Sequence, residues 1–241
     1  MFSFVSGQPA LRIGRTLVVA DLHLGVECEI GLEEVVLDLM QKSIGRVAEI
    51  ASSCNANQIV LLGDVKHRLP TELGELEWRM DRKIPSLIES LAKKTGCKVE
   101  VISGNHDGGL SVVKRDELII KGVGLTHGHK WPSEELMKCK TIVIAHTHPA
   151  VAFRDALGHR TLRKIWLAGS FTKKILEKYP KTNKDAKVVV MPAFSEFITG
   201  SAVNEGELLG PLLSDEMFKR ERAQCYLLDG TPIGEIRSLK V

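Results

Sequence analysis

Thr16-Leu17-Val18-Val19-Ala20-Asp21-Leu22-His23 is a short β-branched run that ends directly in an aspartate and a histidine two residues apart. The same pattern recurs along the chain. Ile59-Val60-Leu61-Leu62-Gly63 runs into Asp64, and Val99-Glu100-Val101-Ile102-Ser103-Gly104 runs into Asn105-His106-Asp107. Gly122-Val123-Gly124-Leu125-Thr126 leads to His127-Gly128-His129, and Thr141-Ile142-Val143-Ile144-Ala145 leads to His146-Thr147-His148. Runs this short, bounded by turn residues, are how strands buried on both faces read. Between them, residues 32–52 place Val35, Val36, Leu39, Ile44, Val47 and Ile50 at helical spacing. Residues 76–94 do the same with Trp78, Ile84, Leu87, Ile88 and Leu91. Strand–helix–strand alternation implies βαβ units and a largely parallel sheet for the first half of the chain.

In a parallel sheet the carboxyl ends of the strands lie along one edge, where ligands gather. Side chains far apart in sequence would therefore converge. Asp21 and His23, like His146 and His148, are two residues apart, which on extended backbone projects both to one side. Gly25, Gly63, Gly104 and Gly128 stand beside these groups, where a positive φ or a close approach of backbone to a ligand is needed. Imidazole, carboxylate and amide-oxygen donors without thiolate suit manganese, iron(II) or zinc. A purely structural role would bury many polar groups without partners, each costing about 1–3 kcal/mol.

Beyond Pro149 the texture changes. Residues 150–153 and 161–167 flank Asp155-Ala156-Leu157-Gly158 as a hairpin, 187–191 reads as a strand, and 223–228 pairs with 232–237 across Asp229-Gly230. The second half is therefore expected to be more antiparallel.

The chain has 241 residues, 44% hydrophobic and 26% charged, which suits one domain over 1–241 with an ample core. No apolar run approaches the roughly 20 residues that span a bilayer. The opening MFSFVSGQPALRIGR lacks the pattern of a secretion signal, so a cytoplasmic protein without membrane contact is expected. Five widely spaced cysteines, never in C-x-x-C spacing, argue against a disulfide framework or a zinc knuckle. The net charge of +3 is mild, but residues 159–187 hold Arg160, Arg163, Lys164, Lys173, Lys174, Lys178, Lys181, Lys184 and Lys187 against Glu177 and Asp185. Such a stretch can track a nucleic-acid backbone or can be a solvated surface.

The ordered set Asp-x-His, Gly-Asp, Gly-Asn-His-Asp, His-Gly and His-x-His, spanning Asp21 to His148, resembles the calcineurin-like metallophosphoesterase superfamily. The resemblance implies an α/β fold: a four-layer αββα sandwich with two mixed β-sheets flanked by helices. It also implies two divalent ions, with manganese expected and iron(II), zinc or nickel as alternatives. One ion would be held by Asp21, His23 and His148, a second by Asn105, His127 and His146, with Asp64 bridging both. His127, which precedes the glycine, takes the ligand place, and His129 becomes an outer contact. Where the family usually has glycine before His-x-His, this chain has Ala145.

Asp21 and Asp64 would neutralise two of the four positive charges. The remaining field would bind a phosphate ester and acidify a water between the ions for in-line attack on phosphorus. His106 resembles the family's non-ligand histidine, placed to protonate the leaving group with Asp107 as its partner. Protein phosphatases of the superfamily carry G-D-x-x-D-R-G, whereas this chain has Gly63-Asp64-Val65-Lys66-His67-Arg68-Leu69. His67 is similar to the second active-site histidine of SbcD-type nucleases. Val190-Met191-Pro192-Ala193-Phe194 followed by Gly200 also looks like the small SbcD-related phosphoesterases.

The resemblance thus implies a metal-dependent hydrolase of phosphodiesters, DNA or other nucleic acid among them, with His67 and His106 near the scissile bond. The alternatives are a phosphatase or phosphodiesterase for cyclic nucleotides or small metabolites, and a scaffold without turnover, which would not need the full donor set.

Overall fold

A computed structural model of the chain describes residues 2–67 and 74–240. Its first sheet holds, in order, β1 (Phe2–Phe4), β2 (Ala10–Ile13), β3 (Thr16–Val19), β4 (Gln58–Leu62), β5 (Lys98–Ile102) and β6 (Lys114–Arg115). The second is built from β7 (Glu117–Ile120), β8 (Val123–Thr126), β9 (Thr141–Ile144), β12 (Trp166–Ser170), β13 (Lys187–Val190), β15 (Gln224–Tyr226) and β16 (Pro232–Glu235), ordered β16-β15-β12-β13-β9-β8-β7. β10 (Pro149–Arg154), β11 (Arg160–Lys164) and β14 (Ser201–Ala202) make a small third sheet.

Both large sheets are mixed. β3, β4 and β5 run parallel, with β2 antiparallel at their side. β8, β9 and β13 run parallel, flanked by antiparallel β7 and β12. The five strands that end in donor residues therefore divide between two facing sheets rather than sharing one.

Three apolar layers hold the stack together. Leu17 and Val19 of β3 meet α1 (Glu33–Ser53) and α3 (Ile84–Thr95) through Val36, Met40, Ile44, Leu87 and Leu91. The intervening Val18, with Val60 and Leu62, faces the second sheet at Leu125, Val143, Trp166 and Val189. The far face of the second sheet packs Ile142, Ile144 and Val188 against Leu136, Met137, Ile175, Leu212 and Phe218. The period of two in β3 puts alternate residues into different layers, which is why the run from Leu17 to Val19 is apolar throughout. The result is the four-layer αββα sandwich. Its outer layer over the second sheet is thin, made of α4 (Glu134–Met137), α5 (Ile175–Lys178) and 3-10 turns.

The helix expected over 76–94 is two helices, α2 (Glu75–Asp81) and α3. Pro85 has no N–H and its ring clashes with the carbonyl four residues back, that of Asp81, where α2 stops. Trp78, expected on a buried face, is 50% exposed. The run 161–167 is likewise divided at Ile165 between β11 and β12, while β1 and β2 form where no strand was expected. No disulfide joins Cys54, Cys97, Cys139 or Cys225. Among the described residues no helix is long and apolar enough to cross a membrane.

Candidate metal centre

The carboxyl ends of β3, β4, β5, β8 and β9 bring their donor residues to one place. Ligand atoms of Asp21, His23, Asp64 and His148 lie within 4.8 Å of one another, as do those of Asp64, His127 and His146. Asp64 is common to both sets. His23 Nε2 is 3.2 Å from His148 Nε2 and 3.8 Å from Asp64 Oδ2, and His148 Nε2 is 3.3 Å from Asp21 Oδ1. On the other side, His127 Nε2 is 3.3 Å from Asp64 Oδ2 and 3.2 Å from Asn105 Oδ1. His127 Nδ1–H donates to the Leu62 carbonyl at 3.2 Å, which leaves Nε2 to face the centre.

The backbone differs from the extended geometry expected for Asp-x-His and His-x-His. Asp21 (φ 55°), His23 (47°), Asp64 (45°), His146 (69°) and His148 (44°) all adopt left-handed conformations. Each such residue costs on the order of 1–3 kcal/mol and persists only where its surroundings over-determine it. Here they do. Asp21 N–H donates to Gly63 O at 3.2 Å, His23 N–H to Asp64 O at 2.9 Å, and Leu24 N–H to Val65 O at 2.8 Å. The loops after β3 and β4 are laced together, so their side chains turn inward as a set. Gly63, at φ 76°, sits where a Cβ would overlap the His127 ring, and a Cβ on Gly104 would overlap Asp64.

Electrostatics point to a bound cation. Burial, followed by the nearby His148 and His106, takes His23 down to about 3 against the pull of Asp21 and Asp64. Burial and His127 take His146 to about 4. Both rings are thus neutral, the form that ligates. Burial alone would lower His127 and raise Asp64. The hydrogen bond between them outweighs burial, helped at His127 by the charges of Asp21 and Asp64 and at Asp64 by the charge of His127, so His127 rises to about 9 and Asp64 falls below the usual carboxylate range. The pocket draws positive charge to the point between the two carboxylates. Asp21 Oδ1, fully buried, accepts no hydrogen bond among the described residues. An acceptor in that condition, beside two converging imidazole nitrogens, fits a divalent ion.

The remaining predicted residues surround this set. His106 Nδ1–H donates to the main-chain carbonyl of His67, and its Nε2 lies 3.9 Å from Asp64 Oδ2. His67 stacks on His106, with ring centroids 6.0 Å apart, and its Nδ1 is 3.2 Å from His23 Nδ1, on the side away from Asp64. Asp107, expected beside the His106 ring, instead accepts from Val65 N–H at 2.8 Å, Lys66 N–H at 3.2 Å and Gly104 N–H at 2.8 Å. It ties the loops after β4 and β5 together. His129 stands outside His127 and His146, its ring centroid 5.3 and 6.2 Å from theirs. Arg68 and Leu69 lie outside the described residues.

The basic stretch 159–187 does not form one track. Arg160 pairs with Glu205 at 2.7 Å, and Lys164 turns inward onto the carbonyls of Ala193 and Ser195. Lys187 is paired in register with Thr141, at the opposite end of β9 from His146. Three charged residues that brace the centre carried no separate signal in the sequence. Glu27 accepts from Gly25 N–H at 2.8 Å, Lys66 is buried 3.1 Å from Asp81, and Lys164 props the segment whose Ser195 N–H reaches Asp21 O at 3.2 Å.

The family model described as Calcineurin-like phosphoesterase matches residues 14–198. The crystal structure of nuclease MPE from Pseudomonas putida is similar at 20% identity and a TM-score of 0.59, over 97% of this chain and 100% of that one. A phosphoesterase from E. coli, Yfce, is similar at 16% identity and a TM-score of 0.41, over 91% and 97% of the two chains. Among curated proteins nothing matches the chain.

Proposed function

The chain belongs to the calcineurin-like phosphoesterase family, and on that premise we propose that it is a dinuclear-metal hydrolase of phosphodiesters, with nucleic acid as its substrate class. The observation that carries this reading is the pair of donor sets sharing Asp64. The Pseudomonas putida nuclease is alike in fold, and at 20% identity the reading leans on the site rather than on that likeness.

Asp21, His23, Asp64 and His148 would hold one ion, and Asp64, Asn105, His127 and His146 the other; manganese suits these donors. Bound there, divalent ions supply the positive charge that holds a phosphate and makes water acidic enough to attack at neutral pH. The protein's own groups do the rest. With Nδ1–H of His106 engaged by the His67 carbonyl, the proton available for a leaving oxygen is the one at Nε2, beside Asp64. His67, behind His23, fixes which nitrogen of that ring faces inward. Asp107 holds the loops so that these positions persist.

We take residues 1–241 as one catalytic unit acting in the cytoplasm. Support comes from β15 and β16, which lie beyond the family match yet pair onto the second sheet at β12. The basic stretch contributes less to nucleic-acid binding than its composition suggested, because Arg160 and Lys164 are engaged within the protein.

Metal-stripped protein reconstituted with manganese tests the reading against single-stranded DNA, cyclic nucleotides, a bis(p-nitrophenyl) diester and p-nitrophenyl phosphate. The expected result is cleavage of DNA and the simple diester. Hydrolysis confined to the monoester would overturn it in favour of a phosphatase, and full metal loading without any hydrolysis in favour of a scaffold.

A further inference from the structure

Between α1 and the segment from Phe194 to Phe197 lies a cavity of about 550 Å³. It adjoins the metal centre through backbone. Its wall residue Ser195 donates to the Asp21 carbonyl, and Glu27 lies in the turn that follows His23 and Leu24. None of the donors of either metal set lines it, so it is a space distinct from the centre.

Its lining has a definite chemistry. Phe194, Phe197 and Leu39 are apolar, with Phe197 49% exposed. The Arg46 guanidinium lies 4.6 Å over the Phe194 ring, held by Gln8 and Glu196 at 2.8 Å each. Glu27 brings a carboxylate only 2% exposed, which accepts from the Gly25 N–H and from its own. A carboxylate has room to accept a further hydrogen bond beside these two.

Gly45 gives an independent sign. It sits in the interior of the 21-residue α1, where glycine is disfavoured relative to alanine. A Cβ there would meet no atom within 4 Å, so packing within the protein does not require glycine. Gly45 lines the cavity, and the missing side chain keeps it open.

We infer that this cavity seats the nucleobase of the nucleotide whose phosphate is bound at the metal centre, with the ring against Phe197 and Arg46 and an N–H given to Glu27. This rests on the phosphodiesterase reading and names the part of the substrate that the protein grips. A planar heterocycle with N–H donors is the ligand that an aromatic ring, a planar guanidinium and a buried carboxylate recognise together. The volume falls within the roughly 300–1,000 Å³ of small-molecule sites.

The test titrates manganese-loaded protein with deoxyadenosine 5′-monophosphate and, separately, with inorganic phosphate. The nucleotide is expected to bind at least about tenfold more tightly. Gly45→Leu, which projects a side chain into the cavity and raises helix propensity, should bring the nucleotide down to the phosphate level. It should leave phosphate affinity and manganese content unchanged. Phe197→Ala, at an exposed position, should weaken nucleotide binding alone by several-fold. Equal affinity of wild type for nucleotide and phosphate overturns the subsite, as does an undiminished gap in Gly45→Leu and Phe197→Ala. Nucleotide binding as expected, in a protein that cleaves no diester, supports the subsite and overturns only the phosphodiesterase reading.

Discussion

The backbone N–H of His106 donates to Asp64 Oδ1 at 2.9 Å, so the residue that presents an imidazole to the centre also pins its shared carboxylate. The two roles belong to different atoms. His106→Ala keeps the N–H and loses the ring. Metal content by elemental analysis should match wild type, while kcat on a diester falls by about 10²–10⁴ through loss of a proton donor. A variant that loses its metal would show that the imidazole is a ligand.

Asp64 and Asp21 should differ in what their loss removes. Asp64 belongs to both donor sets and Asp21 to one. Asp64→Asn should therefore weaken both ions together, whereas Asp21→Asn should retain one ion per chain at concentrations that saturate wild type. Calorimetric titration of stripped protein with manganese gives the two stoichiometries. Equal loss in both variants would mean that the carboxylates do not divide the work in this way.

The gathering of the donor residues at one place is legible because β-branched runs and the donors at their ends are both local in sequence. The donors' conformation is not. Left-handed Asp21, His23, Asp64, His146 and His148 depend on hydrogen bonds between loops, such as His23 N–H to Asp64 O, that no single stretch encodes. The contacts of Asp107 are hidden for a related reason. Adjacency to His106 suggested a side-chain pair, but the chain turn sends its carboxylate back to Val65, Lys66 and Gly104. Composition likewise suggested a basic track along 159–187, and only the pairing of Lys187 with Thr141 shows that part of it lies at the far edge of the sheet.

Gly104 tests how tightly the shared carboxylate is confined. Its φ is not positive, so its backbone accepts alanine, and the obstacle is the overlap of a Cβ with Asp64. Gly104→Ala should destabilise the protein by about 1–3 kcal/mol and lower its manganese affinity. Gly206 also has no positive φ, and its Cβ would come no closer than 3.7 Å to Ala202 O, so Gly206→Ala should be near neutral. Urea unfolding of the two variants checks the contrast, and equal stability would mean that the loop after β5 yields freely.

Lys164 makes stability depend on alkaline pH. Burial first, then the charge of Arg46, holds its ammonium down at about 8, against the opposing pull of Glu196 and Asp21. The ordinary value is 10.5. Below about 8 the group is charged in both folded and unfolded chains, and folding bears the whole cost of confining that charge. Between about 8 and 10.5 the unfolded chain binds the proton and the folded one does not, so this contribution to stability rises with pH. Lys164→Met removes the titration together with the hydrogen bonds to Ala193 and Ser195. Wild type should therefore gain on the variant as pH goes from 8 to 10, with urea unfolding measured under one metal condition. A constant difference across that window would place the ammonium in water, and the propping of Ser195 against Asp21 would then need another source.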